Sequence, residues 1–131
     1  GIMPAMLAEM LHRVRQPFNV NALAQAAAIA ALDDVDFFNR TIDLVHRGLN
    51  DLYAGLDRMG VTYYPTQANF FLIDVGRPAQ AVFERMLHHG VIIRSMKSYG
   101  FPTFIRVNVG LDRENERFLE ALDNVLSAGA E

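Results

Sequence analysis

Hydrophobic residues recur at helical spacing through the first 60 positions of this chain. Apolar side chains three and four residues apart predict a first helix that ends before Pro17, and Asn19 and Asn21 can both cap an alanine-rich helix over residues 22–32. A third helix is predicted within residues 34–59. Its internal glycines, Gly48 and Gly55, favour a helix that lies on a sheet, and the alternative is a coiled coil. The apolar seam of this helix consists of Phe38, Ile42, Val45, Leu49, Leu52, Leu56 and Met59.

The pattern changes to short apolar runs in the second half of the chain. The order predicts an α+β fold, with a small antiparallel-type sheet of three to four strands, helices packed on it, and a long helical segment before it. The apolar run within residues 69–75 is typical of a central strand. The other elements are a strand at residues 61–64, a helix over residues 78–90, two short strands that carry Arg94 and Arg106, and a final helix that Asp112 can cap.

Composition limits the classes of protein that this chain can represent. Its 131 residues fit a single domain over residues 1–131, and the first residue, glycine rather than methionine, predicts a piece of a longer polypeptide. A net charge of -3 without a basic run argues against nucleic-acid partners. No apolar run approaches the roughly 20 residues that span a membrane. The absence of cysteine excludes disulfides and thiol sites and indicates a cytoplasmic location.

The two predicted arginine strands carry the main candidate site. Ile105 and Val107 alternate with Arg106 and Asn108, so a strand would turn the aliphatic residues to the core and Arg106 to the other face. A guanidinium is planar, permanently charged and able to bind a carboxylate or phosphate through two hydrogen bonds. Arg106 and Arg94 are therefore predicted to bind an anion, and the alternative is that both are solvated surface residues.

Four other positions carry groups of chemical interest. Asn69, before the central strand, and Tyr99, in the loop between the arginine strands, are possible substrate-binding residues or partners for backbone groups. Lys97 is the single lysine and is expected to be exposed rather than a nucleophile. His88 and His89 are adjacent on a helix and cannot share a metal ion. These residues do not make a complete catalytic set.

Several ordered motifs resemble the C-terminal part of histidinol-phosphate aminotransferases, within the class I and II pyridoxal-phosphate aminotransferases. Each motif alone is weak, and their order along nearly the whole chain makes the resemblance specific. The segments are residues 15–21 (Arg-Gln-Pro-Phe-Asn-Val-Asn), 25–27 (Gln-Ala-Ala), 68–72 (Ala-Asn-Phe-Phe-Leu), 90–94 (Gly-Val-Ile-Ile-Arg), 99–102 (Tyr-Gly-Phe-Pro), 105–110 (Ile-Arg-Val-Asn-Val-Gly) and 114–115 (Glu-Asn).

The resemblance implies the small domain of a fold-type I enzyme, with residues 1–21 as an interdomain helix and joint. Arg106 would match the arginine that binds the substrate α-carboxylate or its counterpart, and Arg94 the one that contacts the substrate phosphate. No catalytic residue would lie in this chain, because the Schiff-base lysine belongs to a Ser-x-Ser-Lys-type segment of a missing N-terminal large domain. Pyridoxal phosphate would bind in the full-length enzyme and not to this fragment.

The resemblance also implies a homodimeric enzyme that transfers an amino group between L-glutamate and imidazole-acetol phosphate in histidine biosynthesis. One alternative is a related aminotransferase or decarboxylase that acts on aromatic amino acids or threonine phosphate. Another is a non-catalytic, stand-alone module that binds a small molecule.

Overall fold

The structure of the protein is a computed structural model that describes residues 2–17 and 19–128. The chain divides into two compact units, Gly1–Phe38 and Asn39–Glu131. Neither the single-domain organisation nor the interdomain role of residues 1–21 is tested by this division, and both stay predictions. Phe18, in the predicted joint, lies outside the described residues. Within the described part of the chain, no helix is long and apolar enough to cross a membrane.

The first unit contains two helices whose side chains are largely exposed. Helix α1 spans Ala5–Val14, and helix α2 spans Ala22–Asp33. The predicted cap of α2 is confirmed at Asn21, whose side-chain oxygen accepts a hydrogen bond from the Ala24 backbone N–H at 2.8 Å. Asn19 does not cap this helix, and its side-chain oxygen instead accepts a hydrogen bond from Arg15 at 2.6 Å.

Helix α3 spans Val35–Met59, as the apolar seam predicts, and it is buried only over its second half. Leu49, Leu52 and Leu56 belong to the core of the second unit. A Cβ atom at Gly55 would lie 2.5 Å from Leu119, so the absence of a side chain there allows close approach to the last helix. The glycines thus serve packing on a globular core, as the sequence predicts.

The second unit contains a four-stranded antiparallel sheet, which confirms the predicted α+β fold. The strands are β1 (Thr62–Tyr64), β2 (Phe70–Asp74), β3 (Arg94–Ser95) and β4 (Phe104–Asn108), in the order β1-β2-β4-β3. Strand β2 is central, as its apolar run indicates. Helices α4 (Ala79–His88) and α5 (Asp112–Ser127) complete the unit.

The core lies between one face of the sheet and helices α3, α4 and α5. Apolar residues on alternate positions of β2 and β4 meet apolar stripes of the three helices, which is the arrangement that both periodicities predict. The opposite sheet face carries no helix of the second unit and is called the open face below. The core residues of the strands are Phe71, Ile73, Ile105 and Val107, and those of α4 and α5 are Ala79, Val82, Met86, Phe118, Ala121, Leu122 and Val125.

The structure refines one local prediction and corrects another. The predicted short strand that carries Arg94 is β3, which has only two residues and leaves residues 91–93 outside the strand. Asp112 is the first residue of α5 rather than its cap, and Leu111 occupies the cap position. The Leu111 side chain has no acceptor, and the Glu114 carboxylate accepts a hydrogen bond from the Leu111 backbone N–H at 2.8 Å. An acidic residue one turn into the helix therefore stabilises its N-terminus.

Candidate functional site

The open face of the sheet carries both predicted arginines. Arg106 projects from β4 to this face because its neighbours, Ile105 and Val107, are buried in the core. Arg94 of β3 lies directly opposite Arg106 in the strand pairing. The predicted alternation along β4 is confirmed, and the tertiary structure adds that the two arginines are cross-strand neighbours.

Among the described residues, the two guanidinium groups have no acidic partner. Like charges directly opposite on one face of a sheet repel each other. Across the residues that the structure describes, one ion pair within 4.0 Å is found, and it joins Arg47 to Asp112. The Nε atom of Arg106 is buried and makes no hydrogen bond, which costs about 1–3 kcal/mol for a buried donor. An anion bound to the two side chains would reduce the repulsion and could accept from this donor.

An aromatic ring accompanies the Arg106 guanidinium. The guanidinium carbon lies 5.0 Å from the centroid of the Phe70 ring, within the range of a cation–π interaction. Phe70 begins β2 and pairs with Asn108 of β4, one diagonal step from Arg106. Phe70 was not among the residues predicted to bind a ligand. The alternation of β2, which places Phe71 in the core and Phe70 on the open face, is the signal that would have found it.

A cleft of about 490 Å³ lies beside the arginines. It opens between residues 91–94 and the end of β4, and the start of α5 closes one end. Arg94, Arg106 and Asn108 contribute polar side chains to its lining. Asn115, also in the lining, is buried and forms hydrogen bonds with the Gly110 N–H and C=O at 2.9 and 3.2 Å. Asn115 therefore fixes the corner between β4 and α5 rather than offering groups to a ligand.

Carboxylates near this region form hydrogen bonds to the backbone. Asp74 projects to the open face from β2, and its side chain accepts a hydrogen bond from the Gly76 N–H at 3.0 Å. Glu114 lines the cleft, and its bond to Leu111 holds the start of α5. Neither acid pairs with Arg94 or Arg106, so the positive charge of the arginines remains available to a ligand.

Asn69 and Tyr99 are not brought into the cleft. The backbone carbonyl of Asn69 accepts a hydrogen bond from the Val109 N–H at 2.9 Å, and its side chain is exposed. Tyr99 lies in a single 3-10 turn, Lys97–Tyr99, with 59% of its surface exposed. The carbonyl bond extends the pairing of β2 with β4 and involves no side-chain atom. Both roles considered for the Asn69 and Tyr99 side chains therefore stay predictions.

The described residues do not bring to the cleft the lysine that a site for pyridoxal phosphate needs. An aldehyde cofactor of this kind is held through a lysine, and Lys97, the single lysine, is exposed on the 3-10 turn and does not line the cleft. Among residues 2–17 and 19–128, no three His, Asp or Glu side chains are grouped so as to hold a metal ion.

A tyrosine cluster supports the sheet on its covered side. The rings of Tyr53 and Tyr63 stack with centroids 4.5 Å apart, and both contact the Phe71 ring edge-on. Burial raises the pKa of Tyr63, and the negative charge and 3.4 Å hydrogen bond of Asp57 raise this pKa further. The Tyr53 hydroxyl accepts from the Thr66 N–H at 3.1 Å. These contacts anchor the turn before β2, and the cluster serves the fold.

Comparison with known proteins identifies the family. The sequence model of the family "Aminotransferase class I and II" matches residues 1–122. The chain belongs to this family. A matched Pseudomonas fluorescens protein, "Histidinol-phosphate aminotransferase 2", is 46% identical over 127 residues, which is 97% of this chain and 34% of the relative. A Desulfotalea psychrophila "Histidinol-phosphate aminotransferase" is 48% identical over 126 residues, or 96% of this chain and 33% of the relative.

A solved structure supports the same assignment of fold. The histidinol-phosphate aminotransferase from Sinorhizobium meliloti, in complex with pyridoxal 5'-phosphate, superposes with a TM-score of 0.84 and 26% sequence identity. The superposition covers 94% of this chain and 34% of that structure. This aminotransferase chain thus spans about one third of the length of the curated relatives that it matches.

Proposed function

We propose that this chain is the substrate-anchoring, C-terminal part of a pyridoxal-phosphate-dependent histidinol-phosphate aminotransferase. The proposed reaction is amino transfer between L-glutamate and imidazole-acetol phosphate, in the cytoplasm and in a homodimer. The names of the 46% and 48% identical relatives support this branch of the family. The pyridoxal phosphate and the lysine that holds it would come from the part of the relatives that this chain does not span.

The observation that carries the proposal is the facing pair of arginines without acidic partners. Arg94 and Arg106 are opposite each other on the open face, and the buried Nε of Arg106 lacks a hydrogen-bond acceptor. Proteins rarely leave such a donor unpaired, so the arrangement fits a site whose missing partner is a ligand. Phosphate and carboxylate groups match the planar donor geometry of guanidinium.

In the proposed site, Arg106 binds the substrate carboxylate or its counterpart, and Arg94 binds the substrate phosphate. Arg106 is held by a strand and by the Phe70 ring, so it needs little reorganisation to bind an anion. Arg94 is exposed at the edge of the sheet, where a larger and more hydrated phosphate can reach it. Anchoring the ends of a substrate restricts its motion beside the cofactor, which accounts for a large part of many enzymatic rate enhancements.

The proposal is tested in a chimaeric enzyme in which this chain replaces the matching third of the Pseudomonas fluorescens relative. Arg94→Gln should lower kcat/KM for histidinol phosphate roughly 10- to 100-fold, as expected for loss of a charged hydrogen bond. The value for an unphosphorylated amino acid should change little. Arg106→Gln should lower both values. Arg113→Gln, an exposed arginine on α5, is the matched control and should alter neither.

Three results would contradict the assignment. An equal loss for phosphorylated and unphosphorylated substrates in Arg94→Gln would remove the phosphate role from Arg94. A folded chimaera that binds pyridoxal phosphate but prefers aromatic amino acids or threonine phosphate would place the chain in another branch of the family. A folded chimaera without amino-transfer activity would favour the stand-alone binding module.

A further inference from the structure

Helix α4 ends in a glycine cap immediately before one wall of the cleft. Gly90 adopts a φ of 71°, in the left-handed region. Its N–H donates to the Leu87 carbonyl at 2.9 Å, and the Val91 N–H donates to the Met86 carbonyl at 3.0 Å. These two bonds form a Schellman motif. In the described part of the chain, the carbonyl of His89, at the cap position, receives no backbone donor.

Arg117 of α5 supplies the donor that this carbonyl needs. Its Nη2 donates to the His89 carbonyl oxygen at 3.0 Å, which joins positions 28 residues apart in sequence. A Cβ atom at Gly90 would lie 2.5 Å from the same nitrogen, so the absence of a side chain there lets the guanidinium reach the end of the helix. A cation is also favoured at a helix C-terminus by the helix dipole. Arg117 therefore ties α5 to the end of α4.

Helix α5 holds both walls of the cleft. Asn115 fixes the wall at the end of β4, through its two hydrogen bonds to the Gly110 backbone. Arg117, two residues later, holds the point from which the other wall, residues 91–94, leaves α4. The first turns of α5 are thus the common support on which the separation of the two walls depends.

The chain between the Arg117 contact and Arg94 is short and makes few backbone contacts. Among the described residues, Ile92 and Ile93 form no backbone hydrogen bond. Strand β3 begins at Arg94 and pairs over only two residues. The position of Arg94 therefore depends on this short pairing, on the buried side chain of Ile93 and on the end of α4.

We propose that Arg117 is a positioning residue for Arg94. By holding the end of α4, Arg117 fixes where residues 91–93 leave the helix and keeps Arg94 opposite Arg106. Arg117 does not line the cleft and acts through Arg94 rather than on the substrate. The inference rests on the proposed function, in which Arg94 binds the substrate phosphate.

The test uses the chimaeric enzyme and a ratio called the phosphate preference, which is kcat/KM for histidinol phosphate divided by kcat/KM for an unphosphorylated amino acid. Arg117→Met should lower this preference roughly three- to tenfold, as expected when a hydrogen bond that acts through a neighbour is lost. Arg117→Lys keeps a charged donor and should restore most of the preference. Arg113→Met, the same change of charge one turn earlier on α5, is the matched control and should leave the preference unaltered.

The glycine at the cap gives a second way to break the contact. Gly90→Ala would place a methyl group against the Arg117 guanidinium and displace it from His89, so the phosphate preference should fall as in Arg117→Met. Alanine is also strained at a positive φ, so the urea midpoint should fall as well. When Gly90→Ala is added to Arg117→Met, the midpoint should fall without a further change in the preference. An unchanged preference in a folded Gly90→Ala chimaera would contradict the inference.

A double-mutant cycle decides whether Arg117 acts through Arg94. In Arg94→Gln, adding Arg117→Met should not lower the phosphate preference further, because the residue that Arg117 positions is already absent. A full additional loss would overturn the inference, and so would a lower urea midpoint in Arg117→Met with an unchanged preference. A selective loss in Arg94→Gln but not in Arg117→Met would overturn this inference alone. No selective loss in Arg94→Gln would overturn the phosphate role of Arg94 and this inference together.

Discussion

The two faces of the sheet differ in how their side chains are packed and in whether their polar groups have partners. On the covered face, Ile105 and Val107 are buried against helices and have no polar groups to satisfy. On the open face, the charge of the alternate residue Arg106 has no acidic partner, and its buried donor no acceptor, in the part of the chain that the structure describes. Strand β4, with five residues, therefore has one face that stabilises the core and one face on which a charge and a hydrogen-bond donor lack partners among the described residues. The difference separates the residues that hold the fold from those that we propose to bind an anion.

The largest expected effect concerns the covered face. Ile105→Ala removes a fully buried side chain at the centre of the sheet and should lower the free energy of unfolding by about 2–5 kcal/mol. Urea denaturation followed by circular dichroism measures this change. A loss below about 0.5 kcal/mol would mean that β4 is not packed as the structure shows, and the distinction between the faces would fail.

A smaller effect on stability is expected at the neighbouring residue on the open face. Arg106→Gln removes a charge that faces Arg94, so the free energy of unfolding should stay within about 0.5 kcal/mol of the original or rise. The same variant should lose most of its binding to inorganic phosphate, measured by NMR titration of the arginine Nε–H signals. Arg113→Gln serves as the control in both measurements. Strong destabilisation without loss of phosphate binding would show that Arg106 has a structural role.

The smallest expected effect concerns the ring beside Arg106. Phe70→Leu keeps an apolar side chain on the open face but removes the cation–π interaction, which is worth about 0.5–1 kcal/mol at exposed sites. Phosphate binding should weaken roughly two- to fivefold, and Phe70→Tyr should restore it. If Phe70→Leu binds phosphate as tightly as the original chain, the ring does not position the guanidinium and the open face depends on the arginines alone.

Periodicity predicted most of the architecture because it reflects burial directly. The long seam predicted α3, and the apolar run at residues 69–75 predicted the central strand β2. The start of β3 at Arg94 was not predictable from the preceding Val-Ile-Ile, residues 91–93. Strand propensity indicates that a segment can form a strand, but it does not indicate whether a partner strand is present. The same reason explains the first half of α3, where Phe38 belongs to the seam but is exposed in the described structure.

The candidate site was predictable in part. The alternation around Arg106 placed its side chain opposite the core, and residue chemistry indicated an anion. The partnership with Arg94 depends on the register between β3 and β4, which is set by long-range pairing. Phe70 reaches Arg106 only because β2 lies between β1 and β4 in the sheet. Residue chemistry predicted Arg94 and Arg106 as site residues but did not predict the Phe70 ring beside Arg106.

Local periodicity and residue chemistry were enough to predict the helices, the central strand, the family resemblance and the face on which Arg106 lies. The pairing of distant strands was needed to show that the arginines face each other and that Asn69 and Tyr99 lie away from the cleft. These features depend on register and strand order, which bring together groups distant in sequence.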